Sequence, residues 1–340
     1  MNAPLVVVDA DVLGRRRTGD ETYVLNLLRE LGQLAPAAGL RVAAATRRPE
    51  LVPPGVERLT LRTPSQELRM LWTLPRLLRR VGAALVHTQY ALPVRRPCPV
   101  VVTIHDLSFE REPETMGAKD RAVFRRVVPH AARAAARVLT VSERTRDDLV
   151  ELYNVPREHV VVTPNGVDPA FTPSSRPTIG SYVLSVGAVQ QRKNQLKALE
   201  AATAAHLPLV VAGPVKDEGV AEVLRSRGAD LRGYVEQADL VELYRNAACL
   251  VQSSRFEGFG LPVLEAMACG TPVVALDEPA LREVAGDAAV FTDELGLTDA
   301  IRRTLVERER LRAAGIERAR LFSWRTTAER TLAVYLEALL

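Results

Sequence analysis

Short apolar runs rich in Val, Ile and Leu recur along this chain, each bounded by turn residues. In the first half they fall at residues 5–8, 40–46, 84–87, 100–104, 138–141 and 160–162. In the second half they fall at 182–186, 209–212, 250–252, 272–276 and 289–291. Their length and β-branched content predict strands. Between them the apolar positions take a helical spacing, which predicts helices at 23–34, 69–81, 120–136, 144–153, 194–205, 238–247 and 297–314.

Strands that are apolar almost throughout belong to parallel sheets covered by helices on both faces. The alternation runs twice. Between the two rounds lies Asp168-Pro169-Ala170-Phe171-Thr172-Pro173-Ser174-Ser175-Arg176-Pro177, rich in Pro and Ser, which reads as a linker. The fold class is therefore α/β, with two Rossmann-like, doubly wound domains of parallel sheet and a boundary near residue 170. Such sheets bind ligands beyond the carboxyl ends of their strands. Two of them facing a cleft would place site residues just after strands.

The length of 340 residues suits two domains, and 47% hydrophobic with 25% charged residues supplies ordinary cores. No apolar run approaches about 18 residues, so no membrane-spanning helix is expected. Residues Met1 to Pro4 lack a basic stretch and the apolar run behind them ends at Asp9, so no secretory signal is expected. Cys98, Cys249 and Cys269 are widely spaced and have no Cys/His cluster beside them. They read as buried small hydrophobes in a reducing compartment, with neither zinc site nor disulfide framework. Residues 1–170 hold 25 Lys+Arg against 19 Asp+Glu, whereas 171–340 hold 20 against 22. A mildly basic first half suits an anionic partner, but on charge alone an Arg-rich solvated surface is the preferred reading. With aromatics at 5%, a nucleic-acid platform is disfavoured.

Several segments carry candidate chemistry. The first loop, Gly14-Arg15-Arg16-Arg17-Thr18-Gly19-Asp20-Glu21, has the glycine spacing of a P-loop. Acids stand where that motif needs Lys and Ser/Thr, which excludes an NTPase. Gly19 can still open a helix whose N–H groups attract anions, while Asp20 and Glu21 can cap it. Asp9-Ala10-Asp11 resembles a metal-binding Asp-x-Asp, but acids at a strand end are common punctuation, and the structural reading is preferred. His105 ends the run 100–104 at the carboxyl edge, where it can donate to a substrate or act as a base. His87 also ends a strand and is the reserve candidate. The basic-apolar stretch 69–80 suits an anionic membrane surface. The simpler reading is packing with Arg heads in water, interrupted at Pro75.

The second half says more. Gly187 to Asn194 (Gly-Ala-Val-Gln-Gln-Arg-Lys-Asn) sets Arg192 and Lys193 at a strand–loop–helix junction, where cations and helix N–H groups can neutralise a diphosphate without a metal. Phe256-Glu257-Gly258-Phe259-Gly260-Leu261-Pro262-Val263-Leu264-Glu265 follows a strand. Its glycines let backbone approach a ligand, and Pro262 suits a first helical turn. Glu257 and Glu265 can grip hydroxyls at separate points of a polyol, with phosphate between them.

This last stretch, continued by Ala266-Met267-Ala268-Cys269-Gly270-Thr271-Pro272-Val273, resembles the signature of family 4 glycosyltransferases of the GT-B fold. Gly187 to Asn194, Val141 to Thr145, Pro164 to Asp168, Gly233-Tyr234-Val235 with the helix behind it, and Phe322-Ser323-Trp324 are similar to other segments of that family. The resemblance implies a retaining transfer of a hexose such as mannose, glucose or rhamnose from a nucleotide-diphosphate sugar to a hydroxyl, with neither metal nor cofactor. It implies donor binding by 171–323, acceptor binding by 1–170, and a last helix, 324–340, packed back on the first domain. Arg192 and Lys193 would hold the diphosphate, Glu265 the ribose and Glu257 the sugar, with the N–H groups of Phe259, Gly260 and Leu261 nearby. Backbone around Val235 would read the base, Gly187 would join the donor site, His105 would sit by sugar and acceptor, and Gly19 would line the cleft. Asp20-Glu21 departs from the family's small or apolar residues at that point and puts the role of Gly19 in question. The implied setting is glycan, polysaccharide or glycolipid synthesis with a glycan or lipid-linked acceptor; a cytoplasmic location follows from the cysteines, and peripheral membrane contact is the alternative reading of the 69–80 stretch. The competing classes are a catalytically silent donor-binding subunit and a sugar-nucleotide epimerase.

Overall fold

The computed structural model describes residues 3–15, 18–175 and 180–340. Arg16 and Arg17 of the first loop, Arg176 and Pro177 of the linker, and Met1 and Asn2 lie outside them.

The chain divides into two compact units. One comprises Met1–Glu110, Met116–Gly166 and Trp324–Leu340, and the other Arg111–Thr115 and Val167–Ser323. In the first, β1 (Leu5–Asp9), β2 (Arg41–Thr46), β3 (Glu57–Thr60), β4 (Leu85–Gln89), β5 (Val100–Ile104), β6 (Arg137–Thr140) and β7 (Val160–Val162) form one parallel sheet in the order β3-β2-β1-β4-β5-β6-β7. In the second, β8 (Val183–Val186), β9 (Leu209–Ala212), β10 (Asp230–Gly233), β11 (Cys249–Gln252), β12 (Val273–Leu276) and β13 (Ala289–Thr292) take the order β10-β9-β8-β11-β12-β13. In both sheets the strand order reverses at the first strand of the unit, the doubly wound arrangement whose ligands sit at the switch point.

Each sheet is buried on both faces. Val6, Val7, Val101 and Val102 have no exposed surface in the first unit, and neither have Val183, Leu209, Val251 and Val274 in the second. That is why these strands read as unbroken apolar runs. The strands that reading missed, β3 and β10, lie at sheet edges. There, inward and outward residues alternate, and sequences such as Glu57-Arg58-Leu59-Thr60 present no apolar run.

Three other expectations need correction. Residues 297–314 form two helices, Leu297–Val306 and Arg308–Ala319, because Val306 is exposed and the chain turns at Glu307 to bury Leu311 and Ala319. Cys98 is only partly buried, whereas Cys249 and Cys269 are buried, and all three are free thiols. Pro75 does not break its helix. A π-helical turn, Arg69–Thr73, runs directly into the helix Leu74–Val81, where Pro75 occupies the first turn and needs no N–H.

Arg69 likewise does not reach water. It is buried, with Nη2 3.3 Å from Asp9 Oδ2 and Nη1 on Asp11 Oδ2. Arg47 Nε lies 2.8 Å from Asp11 Oδ1, and Arg15 joins the same carboxylate. The Asp-x-Asp pair is thus committed to arginines, and burial raises the pKa of Asp9 against the pull of Arg69 and Arg15. Among the described residues no group of three or more His, Cys, Asp or Glu is placed to hold a metal ion. No helix among them is long and apolar enough to cross a membrane.

Candidate functional site

In the second unit the carboxyl ends of β8 and β11 bring the sequence-selected residues together. Gly187 follows β8 with φ +144°, and a side chain there would meet Lys193. The chain then makes a tight turn at Gln191–Lys193. Asn194 ends it in the left-handed region (φ 52°), a conformation Asn tolerates well, and starts the helix Gln195–Ala204. Gln195 donates from Nε2 to the Ala188 carbonyl at 3.1 Å and so fixes the loop behind it.

The loop after β11 is strapped onto this turn. Ser253 Oγ donates to the Lys193 carbonyl (2.8 Å), the Arg255 N–H donates to the Arg192 carbonyl (3.2 Å), and Arg192 Nη1 donates to the Phe256 carbonyl. The result is a compact charged nest. Lys193 Nζ lies 2.5 Å from Glu257 Oε1, and Arg192 Nη1 lies 3.6 Å from Glu257 Oε2. Gln252, itself buried, donates from Nε2 to Glu257 Oε1 at 2.6 Å and to Ser254 Oγ at 3.0 Å. Burial alone would raise the Glu257 pKa. The charges of Lys193 and Arg192 and the hydrogen bonds from Lys193 and Ser254 outweigh it and hold it at about 2.

Gly260 leads from this loop into the helix Leu261–Ala268 with φ +110°, and a Cβ there would stand 2.7 Å from Leu281 Cδ2, so only glycine fits. The N–H groups of Phe259, Gly260 and Leu261 meet no acceptor among the described residues. Free N–H groups at a helix start attract an anion. One turn further on, Glu265 Oε2 accepts from Tyr244 Oη at 2.7 Å. Burial pushes this carboxyl up to about 7 and Asp168 adds to the shift, against the Tyr244 hydrogen bond. Val235 lies on the loop between β10 and the helix Gln237–Asn246, which carries Tyr244.

In the first unit His105 follows β5. Its ring packs edge-on against Tyr23 (4.7 Å between centroids, 83°), and Nε2 lies 3.1 Å from Gln89 Oε1 at the end of β4. Burial lowers its pKa, although Asp20 and Asp106 act in the opposite direction. Gly19 sits in the first turn of the helix Thr18–Leu34 with open space around it. Glu21 accepts from the Gly14 N–H at 2.6 Å, so this acid closes the preceding loop. His87 is structural. It is fully enclosed, with Nδ1 2.6 Å from Tyr335 Oη and Nε2 2.7 Å from Thr103 Oγ1, and burial holds its pKa near 3. Tyr335 belongs to the last helix, Trp324–Ala338, so this polar contact and the Tyr23–Trp324 ring contact help seat that helix in the first unit.

Sequence reasoning passed over Gln89, Gln195, Tyr244, Gln252 and Ser254. None of them stands in a recognisable motif of its own, and only the fold supplies their partners.

Two doubly wound parallel sheets, one of them carrying paired cations, a glycine-rich loop and two carboxylates at its strand ends, define a GT-B transferase that handles a nucleotide sugar. Residues 17–171 match the sequence model described as Glycosyltransferase Family 4, and residues 171–321 match the one described as Glycosyl transferases group 1. The chain is 32% identical to O-antigen chain mannosyltransferase B of Escherichia coli over 69% of each protein. It is 25% identical to O-antigen chain mannosyltransferase RfbU of Salmonella typhimurium over 85% of this chain and 86% of that one. Among solved structures, sucrose-phosphate synthase of Thermosynechococcus elongatus superposes with a TM-score of 0.78 at 20% identity, covering 98% of each chain. Anabaena HepE in complex with UDP and glucose superposes with a TM-score of 0.74 at 16% identity, covering 99% of this chain and 100% of that one. The chain belongs to the family 4 glycosyltransferases, enzymes that transfer a sugar from a nucleotide-diphosphate donor.

Proposed function

We propose that the enzyme transfers a hexose with retention of anomeric configuration to a hydroxyl of a glycan or lipid-linked acceptor, and that the second unit holds the donor. The observation that carries this reading is the nest in which Lys193 and Arg192 stand 2.5 and 3.6 Å from Glu257, beside the free N–H groups of Phe259, Gly260 and Leu261. Cations and N–H groups suit the diphosphate. An ionised Glu257 suits sugar hydroxyls, which supply the donors that an enclosed carboxylate needs. Glu265 beside Tyr244 suits the ribose hydroxyls, and backbone at Val235 suits the base edge. Gly187 gives the phosphates close access to backbone. His105 is assigned to a substrate hydroxyl, and Gly19 to the same first-unit surface. Mannose is placed first among donor sugars because the relatives of Escherichia coli and Salmonella typhimurium are named mannosyltransferases.

No covalent nucleophile is assigned, since Glu257, the carboxylate of the nest, is engaged by Lys193, Arg192 and Gln252. The leaving diphosphate, stabilised by Arg192 and Lys193, takes the proton of the incoming hydroxyl on the face it departs from, which gives retention. Electrostatic stabilisation of that leaving group supplies most of the rate.

Peripheral contact with an anionic membrane is part of the proposal. Leu68, Leu71, Trp72 and Val94 are exposed, with the Arg76 guanidinium 4.6 Å and that of Arg95 5.9 Å from the Trp72 ring centre. Apolar groups ringed by arginines suit an anionic lipid surface. Flotation with anionic vesicles, absent with zwitterionic ones and lost in Trp72→Ala, checks it.

The donor assignment is tested by thermal unfolding with UDP, GDP, ADP and dTDP. A nucleotide at about 100 times its Kd stabilises by about 2.7 kcal/mol, a shift of several degrees. One nucleotide should give that shift, and Glu265→Ala should abolish it. No shift with any of the four, in folded protein, overturns the donor site. Retention is read from the anomeric coupling constant of the product.

A further inference from the structure

Gln89 is the last residue of β4, paired in register with Thr103 of β5, two positions before His105. The turn behind it is tightly held. The Ala91 N–H donates to the Gln89 carbonyl at 2.7 Å, the Tyr90 N–H donates to the Thr103 carbonyl at 3.0 Å, and Thr88 Oγ1 donates to the Ala91 carbonyl at 2.6 Å. Tyr90 adopts φ 60° to make this turn, a conformation that a bulky residue takes only where its surroundings enforce it. The amide of Gln89 is thus carried on a rigid backbone, and its Oε1 lies 3.1 Å from His105 Nε2.

A carbonyl oxygen only accepts, so His105 Nε2 carries the hydrogen. A neutral imidazole has one N–H, and its other nitrogen is then an acceptor. Among the described residues no partner meets His105 Nδ1, and the side chain keeps a small exposed surface. We infer that Gln89 is a positioning residue that locks His105 in the Nε2–H tautomer, so that Nδ1 accepts a hydrogen bond from a substrate hydroxyl. This rests on the reading above that His105 meets substrate. It adds a direction to that contact: His105 selects a group that donates, as a sugar hydroxyl does, and disfavours one that only accepts.

The rest of the His105 surroundings agree. Burial favours the uncharged ring, while the nearby ionisable groups are Asp20 on the helix Thr18–Leu34, Asp106 beside it and the neutral His87 on β4. Tyr23 packs its ring edge-on against the imidazole, and its hydroxyl lies 3.0 Å from Thr103 Oγ1. The ring plane is fixed by Tyr23 and the tautomer by Gln89.

The experiment is a long-range 1H–15N correlation spectrum of the full chain labelled with 15N, with His105 identified from the signals lost in His105→Gln. The wild-type spectrum should show Nε2 protonated and Nδ1 bare. Gln89→Leu should populate the other tautomer and lower kcat/KM about tenfold, the worth of one hydrogen bond. Turnover is read as hydrolysis of GDP-mannose, or of the UDP-, ADP- or dTDP-hexose that the nucleotide panel selects. Gln89→Glu offers a carboxylate that also accepts from Nε2, so the tautomer should be restored. Its charge should raise the His105 pKa and move the acid limb of the pH–rate profile to higher pH. A rise in the KM of the donor would place the hydroxyl on the donor. A wild-type ring protonated on Nδ1, or a tautomer unchanged in Gln89→Leu, overturns the inference. If the tautomer moves as stated while His105→Gln retains full turnover, the substrate role of His105 falls and the hold of Gln89 on the ring stands.

Discussion

Glu257 and Glu265 lie eight positions apart in the same unit, one on the loop after β11 and one on the helix that follows it. Their acidities move in opposite directions. Glu257 is driven down to about 2 and Glu265 up to about 7. Glu257 is buried and Glu265 is partly so, and burial by itself favours the protonated form. The difference is the company each keeps. Glu257 has Lys193 at 2.5 Å and Arg192 at 3.6 Å, with Gln252 donating to it as well. Glu265 has a single neutral donor, Tyr244, and the negative charge of Asp168 in its field. A short signature thus sets side by side a carboxylate that stays charged and one poised near neutrality. Under the proposed donor site, the first sits beside cations and sugar hydroxyls, and the second changes its proton when the ribose arrives.

The strongest way to break this comparison is to remove the cation. Lys193→Ala takes away the nearest positive charge from Glu257 and from the proposed diphosphate. Turnover should fall about a hundred- to a thousandfold, on the order of 3–4 kcal/mol of transition-state stabilisation. Steady-state kinetics check this, and near-normal turnover would end the assignment of Lys193 to the leaving group.

The two carboxylates also leave opposite marks on stability. Glu257 is depressed on folding, so its contribution is present above its unfolded pKa of 4.5 and is lost as pH falls through about 2. Glu265 is raised, so its contribution is present below 4.5 and is lost as pH rises through about 7. Each amounts to no more than roughly 3–4 kcal/mol. The figure for Glu265 is an upper bound because part of its side chain reaches solvent. Denaturant unfolding across pH should show Glu257→Gln flattening the acid limb between 4.5 and 2, and Glu265→Gln flattening the decline between 4.5 and 7. Both variants flattening the same limb would mean that the contrast between the two sites does not exist.

Half of this contrast was legible in the sequence. Gly187, Arg192, Lys193, Glu257 and Glu265 announce themselves because glycines, paired cations and acids stand together at strand ends, where apolar runs give way to loops. The central strands were equally legible, since β9 and β12 are apolar throughout and buried on both faces. What tunes the two carboxylates was not. Gln252 ends an apolar strand, Tyr244 is one aromatic in an ordinary helix, and Asp168 read as linker. Each acts through a partner many positions away, or across a turn whose shape only the fold sets. Arg69 taught the reverse lesson. Its place in a basic-apolar stretch suggested a head in water, yet the π-helical turn aims it inward at Asp9 and Asp11. Hydrophobic periodicity reports which face is buried, and a long cation can be buried with that face when acids wait beneath it.

The finest test concerns what each carboxylate does when a bare nucleoside diphosphate binds. Such a ligand competes with Glu257 for Lys193 and Arg192, adds negative charge beside it, and brings no sugar hydroxyls in return. Glu257→Gln should therefore bind the nucleoside diphosphate several-fold more tightly, about 1 kcal/mol, while losing transfer activity. Glu265 responds through its proton. Ribose hydroxyls that donate to its carboxylate stabilise the charged form and lower a pKa that starts near 7. Binding at pH 6 should then release a proton, and binding at pH 8.5, where the group is already ionised, should not. Titration calorimetry in two buffers of different ionisation enthalpy reads both quantities. Weaker binding by Glu257→Gln would show that the carboxylate supports the phosphate rather than competing with it. The same heat in both buffers at pH 6 would take the ribose away from Glu265.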